Sequence, residues 1–152
     1  MLKKLILMLL LFPALAFSES EGEKLVNKFW KYTVAKRIHK IASTMSPHFQ
    51  GMYVSSLCAD GGGSITKQQE LQYLLSSNIT GFILSNVQTT KNDHIMVVTY
   101  YIQLFTTIPA AHHYKTPTPD PTTYYHEIFV YSKRVDQWKL VGISFFPFNT
   151  EG

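Results

Sequence analysis

Cysteine is nearly absent from this chain of 152 residues: Cys58 stands alone. An intramolecular disulfide is therefore excluded, and Cys58 does not sit in a lipid-attachment motif behind a leader. A single thiol of this kind is expected to be buried as a small apolar filler. The chain also lacks an apolar run able to cross a hydrocarbon core of about 30 Å, which takes roughly 20 helical residues. No fixed period repeats along it, which excludes a solenoid. Its triple glycine, in Asp60-Gly61-Gly62-Gly63-Ser64, is not followed by Gly-Lys-Ser/Thr and does not form a strand-to-helix dinucleotide fingerprint, so a hairpin tip is expected there. No serine occupies a nucleophile elbow, and Cys58 has no identifiable base. His112 and His113 are adjacent in a loop, and His126 and Glu127 alternate across a strand, so no metal-ligand set emerges and no cofactor is implied.

What remains is apolar and aromatic. Hydrophobic residues make up 45% of the chain, aromatic residues 14% and charged residues 16%, enough for one compact domain and too apolar for a disordered one. Residues 1–18 read as a secretory leader: Lys3 and Lys4, an apolar run over 5–12, a break at Pro13, then the small residues Ala14, Ala16 and Ser18. Two cleavage sites satisfy the small-x-small rule, which leaves about 134 to 136 residues in one domain over 19–152. The exported chain is expected to be periplasmic or secreted, with no membrane anchor. Removing Lys3 and Lys4 lowers the formal charge from +4 to near +2, so the basic balance is in part a property of the leader.

The capping-box spacing of Ser20 and Glu23, with Glu19 and Glu21 beside them, predicts a helix start. Val26, Trp30, Val34, Ile38, Ile41 and Met45 follow at spacings of three and four, one stripe about six turns long that ends at Pro47. The opposite side carries Lys24, Lys28, Lys31, Lys36, Arg37 and Lys40. With no exposed aromatics between them, these residues read as a solvated face and give no nucleic-acid partner. Ser46 to Gly51 reads as a tight turn, 52–58 as a short strand, and Thr66 as the cap of a second helix reaching Ser77, with Leu71, Leu74 and Leu75 on its buried side. From Ile79 the period becomes strand-like. Strands are predicted over 79–89, 94–107, 124–134 and 138–148, joined as two hairpins by a proline-rich excursion over 108–123. Two helices followed by a four-strand meander make an α+β domain. Asn78-Ile79-Thr80 matches a glycosylation acceptor.

This order, with Phe29-Trp30 in the first helix, Ser46-Pro47-x-Phe49-x-Gly51 after it, and Val130-Tyr131-Ser132-Lys133 leading to Trp138-Lys139-Leu140-Val141, resembles the nuclear transport factor 2-like superfamily, including its SnoaL-like and ketosteroid-isomerase-type branches. The resemblance implies a cone in which a curved antiparallel sheet wraps the N-terminal helices around an apolar pocket. It does not settle function, because the same cone carries enzymes, carriers and silent subunits. The helical tyrosine of the isomerase branch falls at Phe29 and its general base near Tyr53, so the catalytic residues are not matched. Asp60, beside the glycines, reads as an exposed turn residue.

Strand alternation places Val98, Tyr100, Ile102 and Leu104 on one side, with Ile128, Val130, Leu140 and Gly142 expected to share it. That side is the expected interior, and it brings Tyr100, His126 and Ser144 toward one pocket, with Tyr53 from the short strand. A histidine, two phenols and a hydroxyl suit the orientation of a small apolar or amphipathic molecule. Two alternatives are a lyase, isomerase or hydrolase using His126 with Tyr53 or Tyr100, and a homodimeric interaction module. The module would use the outer sheet face, expected to present Phe129, Tyr131, Phe145 and Tyr101. The lack of an identifiable buried acid counts against catalysis.

Overall fold

Ser20 opens the first helix as its spacing demands. Its hydroxyl accepts the Glu23 N–H at 3.1 Å, and Glu21 and Glu23 lie in the first turn, where the helix dipole favours carboxylates. The structure, a computed structural model, describes residues 18–53, 63–107 and 123–147. The leader, Cys58, the glycine-loop residues 60–62, His112, His113 and most of the 108–123 excursion lie outside the described residues. Among the described residues no helix is long and apolar enough to cross a membrane.

The predicted six-turn helix is two helices, α1 (Glu21–Val34) and α2 (Ile38–Thr44). The break is a Schellman closure: Arg37 N–H reaches the Tyr32 carbonyl at 2.9 Å and Lys36 N–H the Thr33 carbonyl at 3.1 Å, with Lys36 at φ 54°. A lysine replaces the usual glycine there, so the apolar stripe runs through the break without a sequence signal. The Lys36 ammonium crosses to the end of α3 (Lys67–Ser76), donating to the Leu74 carbonyl at 3.0 Å and to Ser77. Thr66 caps α3 with a full capping box: Thr66 Oγ1 accepts the Gln69 N–H at 3.3 Å and Gln69 Oε1 accepts the Thr66 N–H at 2.8 Å. Leu74 is buried as predicted, but Leu75 is 57% exposed, and the buried stripe holds Glu70 instead, one turn before Leu74.

Among the described residues the sheet has six strands, one more than the short strand and four-strand meander expected: β1 (Met45–Tyr53), β2 (Gly63–Thr66), β3 (Ile79–Lys91), β4 (Ile95–Thr106), β5 (Thr123–Arg134) and β6 (Gln137–Pro147), in the order β2-β1-β6-β5-β4-β3. The expected turn from Ser46 to Gly51 is part of β1, which runs parallel to β6. Pro47 is tolerated because the register jumps between Met45 and Gln50, so no ladder donor is needed at its nitrogen. The β5–β6 turn has two residues, Val135 and Asp136, both at positive φ (46° and 60°), the backbone of a type I′ turn.

Met96, Val98, Tyr100, Ile102 and Leu104 of β4 are buried against α1, as alternation predicted. On β5 the expected parity is inverted. Val98 pairs with Phe129 and Tyr100 with Glu127, so Glu127, Phe129 and Tyr131 point inward and Ile128 and Val130 outward. On β6, Leu140 is buried, but a bulge between the pairs Val130–Gly142 and Tyr131–Leu140 adds a residue, after which Ile143 and Phe145 face inward in place of Gly142 and Ser144. Phe129 and Tyr131, expected on a partner face, are core residues. The core of Val26, Phe29, Trp30, Ile41, Met45 and Phe49 fills most of the concave side.

Candidate functional site

The inverted parity on β5 brings a carboxylate into the core. Glu127 is 5% exposed and Tyr100, its cross-strand partner, is fully buried. Trp30 of α1 donates its indole N–H to the Tyr100 oxygen at 3.0 Å, and Tyr100 donates its hydroxyl to Glu127 Oε2 at 2.5 Å. The direction of this chain follows from its ends, since indole only donates and a carboxylate accepts. Rings pack around it edge to face: Phe29 on Phe129 at 5.0 Å and Tyr100 on Phe129 at 5.4 Å.

A second acid comes from α3. Glu70 is 6% exposed, and among the described residues its carboxyl has no hydrogen-bond partner. No side-chain nitrogen or oxygen there is fully sealed without a partner, so the Glu70 oxygens open onto space. That space is a cavity of about 30 Å³ bounded by Trp30, Glu70, Tyr125, Glu127, Phe129 and Phe145, with the half-exposed Tyr73 at its rim. Its volume holds about two water-sized groups. The hollow expected from the sequence is thus largely filled, and its remaining opening is polar at the base and ringed with aromatics.

The electrostatics follow from this burial without counter-charge. Desolvation pushes the Glu70 carboxyl up from 4.5 to about 7. Desolvation raises Glu127 to about 8, against the lowering effect of the Tyr100 hydrogen bond and with added repulsion from Glu70. Burial, then the two acids, raise the Tyr73 phenol, and burial, then Tyr73 and Glu127, raise Tyr125. Each acid can therefore hold or release a proton near neutral pH, and each can accept from a donor or cation placed between them.

Of the residues singled out in the sequence, Tyr100 lies in this cluster. His126 lies on the other face of β5, stacked on Tyr101 at 4.8 Å and tilted against Phe146 at 6.1 Å. Ser144 is on the outer side of β6 beyond the bulge, and the side chain of Tyr53, at the end of β1, lies outside the described residues. Glu70 and Glu127 were missed, yet each had a signal: Glu70 precedes Leu74 by four on the apolar stripe, and Glu127 alternates with Phe129 and Tyr131. A larger cleft of about 340 Å³ lies at the other end of the β5–β6 hairpin, lined by Leu25, Lys28, Trp138 and Lys139. Its cations are engaged, Lys139 donating to the Ser43 carbonyl at 2.7 Å and Lys28 lying over the Tyr32 ring.

No protein-family profile and no curated protein matches this sequence. Solved structures do. A nuclear transport factor 2-like protein from Cytophaga hutchinsonii is similar at TM-score 0.61 and 13% identity, over 85% of this chain and 99% of that one. The hub homology domain of the calcium/calmodulin-dependent kinase II type from Chlamydomonas reinhardtii is similar at 0.62 and 13%, over 87% and 98%. A protein from Novosphingobium aromaticivorans provisionally named a scytalone dehydratase is similar at 0.63 and 13%, over 84% and 81%. The fold is the α+β cone of the nuclear transport factor 2-like superfamily.

Proposed function

We propose that this chain binds a small molecule between α3 and the concave side of the sheet, seating the molecule's polar end against Glu70 and Glu127 and its apolar part against the surrounding rings. The observation that carries the reading is Glu70: a carboxyl on a residue 94% removed from solvent, opening onto a cavity, with no partner among the described residues to offset its burial. A buried polar group without a partner costs about 1–3 kcal/mol, and more if charged, so a donor supplied from outside is the natural complement. The small volume restricts the cavity to a head group, with the rest of the molecule passing Tyr73 at the rim. Native mass spectrometry of protein purified from its own host should show extra mass that is lost on denaturation. No extra mass, together with no thermal shift across a library of small alcohols, amines and lipophiles, would refute the reading.

Self-association is a second reading, favoured by the outer sheet face. Ile83, Tyr101 and Phe105 of β3 and β4 are 52%, 39% and 36% exposed there, an apolar patch of the kind that interfaces use. Phe105→Lys should shift the molar mass measured by light scattering from dimer to monomer, and a wild type that is monomeric at micromolar concentration overturns this version. Export belongs to the same proposal and rests on the leader pattern of residues 1–18. N-terminal sequencing of the exported chain should begin at Phe17 or Glu19.

A further inference from the structure

We infer, resting on the reading just given, that the ligand of this site is a primary alkylammonium ion, its NH₃⁺ head held by Glu70 and Glu127 and its stem leaving past Tyr73 and Tyr125. Four features of the cavity point to this chemistry.

First, among the described residues the cavity has acceptors and no cation. Tyr100 occupies one oxygen of Glu127, leaving the other Glu127 oxygen and both oxygens of Glu70 without partners among the described residues. An alkylammonium brings three N–H donors to these oxygens. Second, among the described residues the ionisable groups facing the cavity are Glu70 and Tyr73 from α3 and Tyr125 and Glu127 from β5, with Tyr100 of β4 behind Glu127; α1, β3 and β6 supply apolar or indole groups. Among the described residues no lysine, arginine or histidine lines it, and Lys36, the ammonium packed on α3, is committed to the Leu74 carbonyl and to Ser77. An anionic ligand would meet repulsion from both acids, with no cation among the described residues to relieve it.

Third, the walls suit a cation. The rings of Trp30, Tyr125, Phe129 and Phe145 line the cavity together with the two carboxyls, and a cation over a ring face gains about 0.5–2 kcal/mol where water is excluded. Fourth, size discriminates among cations. About 30 Å³ admits a head of water size, whereas a trimethylammonium group is several times larger. A neutral alcohol fits but supplies one donor and no charge.

Calorimetric titration of the full chain at pH 8 with n-propylamine, n-propanol and trimethylpropylammonium tests the assignment. Propylamine should bind at least tenfold more tightly than either of the others. Its affinity should rise from pH 6 to pH 8, as the two acids lose the protons that the cation displaces. Glu70→Gln should weaken propylamine at least tenfold while its circular dichroism remains that of the wild type. If that variant fails to fold, the wild-type profile decides, and an affinity that is flat from pH 6 to 8 overturns the inference. Propanol or the quaternary ion binding as tightly as propylamine overturns the ammonium assignment but leaves a small-molecule site standing. Failure of all three probes overturns the ammonium assignment, and the library and native mass measurements above then decide the broader reading separately.

Discussion

Glu70→Gln keeps the shape of the side chain and removes its charge, so it isolates what ionisation costs at this position. Burial holds the Glu70 carboxyl at about 7 against an ordinary 4.5. At about 1.4 kcal/mol per unit, the ionised form is about 3 kcal/mol worse in the folded chain than in the unfolded one. Between those two values the folded chain keeps a proton that the unfolded chain has lost, so stability falls as pH rises from about 4.5 to about 7 and is flat above. Glu127, raised to about 8, has the same sign and extends the fall by about one more unit. Glu21 acts in the opposite sense: the hydrogen bond from Lys91, at 2.5 Å, lowers its carboxyl, and that contribution is lost as pH drops below 4.5. The stability maximum should therefore lie near pH 4.5, acid of the usual range.

Urea unfolding followed by Trp30 and Trp138 fluorescence from pH 4.5 to 8.5 measures this directly. At pH 8, Glu70→Gln should be more stable than wild type by about 2 kcal/mol, since the buried amide keeps part of the desolvation cost. At pH 4.5 the order should reverse, the variant being about 1 kcal/mol less stable, because both side chains are then neutral in the folded chain and only the amide's residual cost remains. In heat the gain at pH 8 corresponds to about 5 °C. A variant less stable than wild type at pH 8 would refute the reasoning, because it would mean that the carboxylate has a favourable partner in the folded chain.

Three further variants probe the frame around the site. Gly22→Ala should cost about 2 kcal/mol in urea unfolding, because a Cβ there would lie 2.4 Å from Thr89 Oγ1 and 2.6 Å from Val98 Cγ2, where α1 meets the sheet. Val135→Asn combined with Asp136→Gly should add about 1 kcal/mol, since both positions hold left-handed backbone that valine and aspartate resist; an unchanged urea midpoint would show that the turn stores no strain. Tyr100→Phe strands the Trp30 indole and the Glu127 carboxyl together. It should cost about 2 kcal/mol at neutral pH and carry the alkaline fall in stability beyond pH 8, measured by the same titration.

Much of the architecture was legible because it is written in local chemistry. The Ser20 and Thr66 caps, the β4 alternation and the two hairpins all follow from spacing within a dozen residues. What escaped depends on distant partners. Lys36 stands in left-handed backbone while its ammonium serves carbonyls at the end of α3, a contact 38 residues away. Pro47 fits a strand because the parallel ladder with β6 is irregular there. The site was misread for one reason, the register between β4 and β5. A shift of one residue exchanges His126 for Glu127 and Ile128 for Phe129, and a single bulge repeats the exchange on β6 for Ser144 and Phe145. Because β4 and β5 are too far apart in sequence for a short hairpin connection, no hairpin rule fixed that register in advance.

The two ends of the β5–β6 hairpin treat charge in opposite ways. At the turn end, Glu21 takes the Lys91 ammonium at 2.5 Å and the Trp138 indole at 3.0 Å, Lys139 caps the Ser43 carbonyl, and every one of these groups keeps contact with solvent. At the other end, two acids are buried among rings, and one of them takes the Tyr100 hydroxyl. Uncharged side chains of similar volume would pack the same space at lower cost, as the Glu70→Gln prediction quantifies. A cation in the cavity reverses that cost: at a hundred times its dissociation constant it contributes about 2.7 kcal/mol of stability, close to what ionised Glu70 removes. An unoccupied chain at pH 8 should therefore melt below its Glu70→Gln variant, and propylamine at a hundred times its wild-type dissociation constant should bring the wild type level with the unliganded variant while stabilising the variant itself by no more than about half as much.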